Sequence, residues 1–381
     1  MLMILCQGVK QKTKQLLYTN HQMVSLLGKG GFQLQKWASN SLKLLEEIKP
    51  QGPDTQKDIK IDDTVKILGL NWNIQSDSFK YTVNLPPQKL PITKRVILSD
   101  ISRLFDPLGC TAPVIIQAKI YMQKLCLSGL SWDQEVTSNL LDEWISFRDN
   151  LPALNQVTVP RWVNKSKDTT YLELHGFSDG SNDAYSAVVY LRATDHYGNV
   201  RVSLITARTK VSPIKQISIP RLELCGAVLV ARLLSEVSGI LPIPASQIHA
   251  WTDSTIVLAW LKGQPNRWKT FVANRVIEIL TVLNNDQWSH VESCQNPADC
   301  ASRGLAPQEF IHCELWFHGP AFLRESTYVS PTVNISTYLK AKPLKSHHLT
   351  IAEVISRHGR SINLYQKRLE WSRFAFDLFI N

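Results

Sequence analysis

Apolar and polar positions keep two different rhythms along this chain. Between Tyr171 and Val211 three blocks, YLELHGFSDGS, AYSAVVYLRA and VRVSLITARTKV, are rich in β-branched and aromatic residues and broken by short polar turns, which predicts three consecutive strands. The rhythm then lengthens. PRLELCGAVLVARLLSEV predicts a long helix, with Pro220 near its start, where a missing N–H costs no hydrogen bond. IHAWTD predicts a fourth strand, STIVLAWLKG a helix ending at Gly263, NRWKTFVANRVIEILTVL an amphipathic helix, QWSHVES a fifth strand and NPADCASRG a last short helix. Three strands in a row followed by alternating helix and strand predict a five-stranded mixed sheet with flanking helices, an α+β or mixed α/β fold.

Upstream the pattern is shorter in range. KQLLYTNHQMVSLLGKGGFQLQKWASNSLKLLEEI predicts two amphipathic helices around a turn that begins at Gly28, and KPQGPDTQKD a linker. TVKILGLNWNIQSDSFKYTV alternates like a hairpin with QSDS at its turn. TKRVILSDISRLFDPLGCTAPVIIQAKIYMQKLCLSG predicts helix, break and helix, with Ser99 or Asp100 capping the first. The tail after residue 306 contains LWFHGPAFL and predicts a helix at its end, LYQKRLEWSRFAFDLFI.

Composition narrows the class. The 381 residues are 44% hydrophobic, enough for two or three domains with buried cores. A formal charge of +10 suits a polyanionic partner such as nucleic acid, although solubility alone would also favour it. Seven cysteines, none in a CxxC pair, point to a reducing intracellular compartment, cytoplasm or nucleus. No apolar run is long enough to span a bilayer, so no membrane partner is expected. The first residues, MLMILCQGVKQKTKQ, have too short an apolar stretch for a signal segment and read as a chain beginning mid-domain.

The predicted order of elements singles out four acids. Asp179 ends the first strand, Glu223 lies in the first turns of the long helix, Asp253 ends the fourth strand and Asp299 starts the last short helix. Each has an ordinary reading: a turn residue at Asp179, a solvated helix position at Glu223, a cap at Asp253 and a favourable dipole charge at Asp299. In a sheet of this type the first and fourth strands are neighbours, so the four could converge on one cleft. Converging carboxylates raise one another's pKa unless cations lie between them, and hard oxygen donors suit two Mg²⁺ or Mn²⁺ ions. Such a pair activates water against a phosphodiester.

The motifs GFSDGSNDAYSAVVYLR, TARTKVSPIKQISIPRLELCGAVLVARLL, WTDSTIVLAWLKGQPNRWKTFVANRV and NPADCASRGL resemble the ribonuclease H domain of BEL/Pao-type LTR retrotransposon polyproteins. GGFQLQKWASNS, KILGLNW and KRVILSDISRLFDPLGCTAPVIIQAKIYMQ are similar to the end of the reverse transcriptase and its connecting segment in the same elements. The resemblance implies a ribonuclease H-like fold over residues 165–306 and carries Asp179, Glu223, Asp253 and Asp299 over as catalytic metal ligands. It implies a smaller α+β connection region at 60–160, a reverse transcriptase remnant at 1–48, and a linker toward a missing integrase at 307–381. The expected substrate is the RNA strand of an RNA–DNA hybrid, with other retroelement polyprotein products as further partners. The Tyr-x-Asp-Asp polymerase motif is absent, and Asp62 and Asp63 read as a turn, so no polymerase activity is expected. A degenerate copy that only binds nucleic acid, and an assembly module without a ligand, are the competing readings.

Other candidates are weaker. Lys262, Arg267, Trp268, Lys269 and Arg275, with Phe271, mix cations and aromatics as a nucleic-acid contact would, and equally as an amphipathic helix would. RTKVSPIKQISIPR is a second basic stretch beside Glu223. The loop SCQNPA before the last acid has no His, and His290 lies earlier, on the fifth strand. His290, Cys294, Cys300, His312 and Cys313 match no standard zinc spacing.

Overall fold

A computed structural model describes residues 70–161, 163, 169–241 and 243–326, with short stretches at 2–5, 25–26, 28–31, 36–39 and 64–67. The linker at 49–58, the Asp62–Asp63 pair and the helix expected at the C-terminus lie outside the described residues. The chain divides into two units. One holds residues 1–82, 156–167 and 371–381; the other holds 83–155 and 168–370.

In the first unit β1 (Leu2–Leu5) pairs in parallel with β2 (Lys36–Ser39). Lys36–Ser39 falls where the pattern predicted helix, and is a strand instead, paired in register with Leu2–Leu5; this non-local pairing overrides the local period. Gly31 donates to Gly28 O across the expected turn. β3 (Thr64–Ile67), β4 (Leu70–Asn73), β5 (Ser78–Lys80) and β6 (Thr158–Pro160) form an antiparallel sheet in that order. The expected hairpin is β4–β5, in which Trp72 faces Phe79, both buried. Asp77 in its turn accepts from Trp72 Nε1 at 2.9 Å and from Arg161 Nε at 2.6 Å.

The second unit begins with α1 (Lys94–Ile101), α2 (Ala112–Leu127) and α3 (Ser138–Asn150). They close a small core of Ile92, Ile97, Tyr121, Leu125, Val136 and Trp144. The cap of α1 is Thr93, whose side chain accepts from Val96 N, rather than Ser99 or Asp100. Asp100 lies inside the helix, buried and paired with Arg148 at 2.8 Å. The break after α1 docks on the main sheet. Leu108 O accepts from Ala207 N at 2.9 Å, and Gly109 follows with φ +76°, where any Cβ would strike the Ala207 carbonyl.

The main sheet runs in the order β11-β10-β7-β8-β9. β7 (Thr169–Gly180), β8 (Ala184–Asp195) and β9 (Val200–Val211) are antiparallel; β10 (Ile248–Thr252) and β11 (Trp288–His290) are parallel to β7. Alternation along β7 gives each face its own cover. On one face α4 (Ile219–Ser238) lies so close that a Cβ on Gly176 would meet Val230 at 2.5 Å. The helices α5 (Thr255–Lys262) and α6 (Thr270–Leu280) follow β10, and α6 packs on α4. On the other face lies α7 (Pro297–Arg303), with the short helices α8 (Pro307–Phe310) and α9 (Glu314–His318) after it. The stretch from 307 to 325, expected to be linker, covers β8: Tyr190 donates to Trp316 O at 2.7 Å and Arg192 to Leu323 O at 2.9 Å.

Candidate active site

The four predicted acids stand on four elements that meet at one end of the sheet. Thr252 pairs with Ser178 in the parallel β7–β10 register, so Asp253 and Asp179 are the next residues along neighbouring strands. α4 crosses this end almost backbone to backbone. A Cβ on Gly180 would lie 2.5 Å from Glu223 N, and one on Gly226 would lie 2.7 Å from Asp179 O. Those two glycines set Glu223 beside Asp179. From the opposite face α7 delivers Asp299, anchored by Ser186 Oγ donating to Ala298 O at 2.6 Å and Asn296 Nδ2 donating to Ser178 O at 3.1 Å.

Three serines hold the carboxylates. Ser254 donates to Glu223 at 2.6 Å, Ser293 to Asp253 at 2.7 Å, and Ser302 to Asp179. Sequence reasoning missed all three, although Ser254 and Ser302 lie inside the motifs that carry Asp253 and Asp299. Asp299 also pairs with Arg303, one turn on, at 2.6 Å.

All four carboxyls are pushed above the ordinary range, each first by burial. Asp179 is raised further by the charge of Asp299, Glu223 by Asp253 and Asp179, Asp253 by Asp179, and Asp299 by Asp253. The serine hydroxyls, Arg303 and, at Asp253, His290 act against this without reversing it. Asp253 Oδ1 is buried with no hydrogen-bond partner among the described residues. A cluster of one sign, buried and with an orphaned oxygen, is a donor set that fits hard divalent cations.

The predicted nucleic-acid contacts do not share one helix. Lys262 ends α5, Arg267 belongs to a 3-10 turn at Pro265–Arg267, and Lys269 caps α6; all three are exposed. Trp268 is half-buried, packs against Gly263 and donates to Trp260 O at 3.3 Å. Arg275 sits 3.5 Å over the Phe271 ring and donates to the Phe271 carbonyl.

A second polar cluster lies further down the same face. Glu173, His175 and His249 bring potential ligand atoms within 4.8 Å of one another. A cation is already there: Arg192 Nη1 meets Glu173 Oε2 at 2.5 Å. Trp251 Nε1 donates to His175 Nδ1 at 3.3 Å, and His249 Nε2 lies 3.5 Å from Glu173 Oε1. Burial lowers His175 to about 4. Against its own burial, Glu173 is held well below the usual range by the neighbouring imidazoles of His175 and His249 and by the Arg192 charge. Phe177, Trp251 and Phe322 separate this cluster from the acids.

Three antiparallel strands continued by two parallel ones, with acids at the ends of the first and fourth, define a ribonuclease H-like fold. Residues 93–254 match the family described as the Pao retrotransposon-like RNaseH-like domain. The resemblance of the motifs to BEL/Pao-type elements is met over that stretch. The matched stretch includes Asp179, Glu223 and Asp253. Solved structures with similarity include the N-terminal RNase H domain of a Mycobacterium tuberculosis protein, fused to maltose-binding protein. It is 14% identical, has a TM-score of 0.25, and the match covers 36% of this chain and 98% of that one. RNase H1 of the halophilic archaeon Halobacterium salinarum is also 14% identical, with a TM-score of 0.23 over 33% of this chain and 89% of that one. No curated protein matches the chain. Among the described residues no helix is long and apolar enough to cross a membrane.

Proposed function

We propose that this domain hydrolyses the RNA strand of RNA–DNA hybrids, with two divalent cations, Mg²⁺ or Mn²⁺, held by Asp179, Glu223, Asp253 and Asp299. The observation that carries the reading is the charge imbalance of the site: four acids on four elements, all raised by burial and by one another, with Asp253 Oδ1 left without a hydrogen bond. When bound, the cations supply an activated water and charge stabilisation for the leaving oxygen of a phosphodiester. The chain's own part is to hold its carboxylates still. Ser254, Ser293 and Ser302 each fix one oxygen of an acid and leave the other for a ligand.

Lys262, Arg267 and Lys269 are exposed cations of the kind that contact phosphates, and Arg275 and Trp268 brace the same region from partly buried positions. Recognition of the hybrid rests on duplex shape and the 2′-OH. Residues 1–48 and 60–160 are the end of a reverse transcriptase and its connecting region, and other products of the same polyprotein are natural partners. The test is a labelled hybrid, with and without Mg²⁺. RNA in the hybrid is cut only with the metal, while the DNA strand and single-stranded RNA are spared. Salt-sensitive binding without cleavage would instead support the reading as a nucleic-acid binder.

A further inference from the structure

Beside Asp299 the fold places two sulfurs in contact. Cys300 follows Asp299 in α7, and Cys313 precedes α9, yet their Sγ atoms lie 3.8 Å apart. Both are partly accessible, whereas Cys110, the other thiol near Tyr190, is buried. We propose that Cys300 and Cys313 form an oxidisable dithiol site, which peroxides convert into an intramolecular disulfide. Only the consequence for cleavage rests on the nuclease reading above.

The chemistry assigns the two sulfurs different parts. The 3.8 Å contact lets either thiol share its proton with the other; the sulfur contact itself, then the Trp316 and Leu315 N–H groups, favour the thiolate on Cys313, against its burial. A thiolate is the nucleophile toward peroxide. The Cys313 thiolate attacks one peroxide oxygen, the O–O bond breaks, hydroxide leaves, and Cys313 becomes a sulfenic acid. The Cys300 thiol then attacks that sulfur; the S–OH bond breaks, the S–S bond forms, and water departs with the Cys300 proton. In total two thiols and one hydrogen peroxide give one disulfide and two waters.

An S–S bond is about 2.05 Å long, so the sulfurs must close by roughly 1.8 Å from their 3.8 Å separation. That pull acts on α7, whose first turn is tied to the sheet through Ala298 and Asn296. Asp299 sits between the tie and the pull. Oxidation therefore draws Asp299 away from the other three acids.

The experiment treats the full chain with hydrogen peroxide, blocks free thiols, and maps cross-linked peptides by mass. The expected result is a linked Cys300–Cys313 peptide, reversed by dithiothreitol and absent from Cys313→Ser. Hybrid cleavage by the oxidised chain falls on the order of tenfold or more, while Cys313→Ser keeps its activity after the same treatment. Oxidation of exposed Cys126 and Cys294 without the Cys300–Cys313 link would overturn the site. A link that forms with cleavage unchanged would overturn its coupling to Asp299. The linked peptide is read from mass alone, so failure of the nuclease reading leaves that result intact.

Discussion

The two ends of β7 bury charge in opposite ways. At Glu173 the negative charge meets Arg192 and two imidazoles, and the carboxyl is held low. At Asp179, six residues on and on the same face, the charge meets three more acids, and every carboxyl is held high. The first cluster is complete within the chain. The second leaves charge uncompensated, and burying it costs stability that a fold has no reason to accept unless something else binds there. On the function proposed above, charge balance, more than burial or the mere presence of ligand-type residues, separates the structural polar cluster from the ligand-binding one.

The largest effect that would break this contrast is at Asp179. Asp179→Asn should reduce hybrid cleavage by on the order of 10²-fold or more. The metal-free melting temperature should stay the same or rise, since one of four repelling charges is gone. The Mg²⁺-induced rise in melting temperature should disappear, because ligand binding stabilises the fold by mass action. Normal cleavage by this variant would return Asp179 to the role of a turn residue.

At the other cluster the same kind of removal should act on the fold. Arg192→Met leaves Glu173 buried with only the two imidazoles beside it, and should cost about 3–5 kcal/mol in urea unfolding. Replacing Glu173 as well with Leu should recover most of that. A loss of less than about 1 kcal/mol in the single variant would show that Glu173 finds other compensation.

The smallest effect is in pH dependence. His175 is lowered to about 4 from its ordinary 6.5. Above 6.5 it is neutral in both folded and unfolded chains, and its contribution is fully present. As pH falls toward 4 the unfolded chain takes up the proton first, so stability drops by at most about 1.4 kcal/mol per pH unit. The raised acids work the other way: in the interval just above the ordinary carboxylate range the folded state keeps protons that the unfolded chain releases, so their contribution grows as pH falls. His175→Gln should flatten the acid side of the urea-midpoint curve. An unchanged slope would show that His175 is not the group responsible.

Much of this was legible in the sequence because it depends on local rhythm. Five strands, the Pro220 start and the Gly263 stop follow from periods of 2 and 3.6 and from backbone chemistry. The acids stood out because each sits where an element begins or ends. What could not be read depends on partners far along the chain. Asp100 reads as a cap until Arg148 is seen beside it, and Ser302 is one more helix serine until Asp179 meets it. The segment at 307–325 carries little period of its own, because its role is to cover Tyr190, Trp251 and Arg192. The basic stretch at 262–275 ran together in sequence, but its residues divide among a helix end, a 3-10 turn and a second helix.

The close crossing of α4 over β7 has a consequence for comparing copies of such elements. Gly180 and Gly226 bear no reactive group, yet a single added methyl at either would wedge the helix off the strand and part Glu223 from Asp179. A copy that keeps all four acids but has lost one of these glycines should lose the convergence on which the proposed site depends. Its four acids would all be present, and the lesion would be the loss of an empty space.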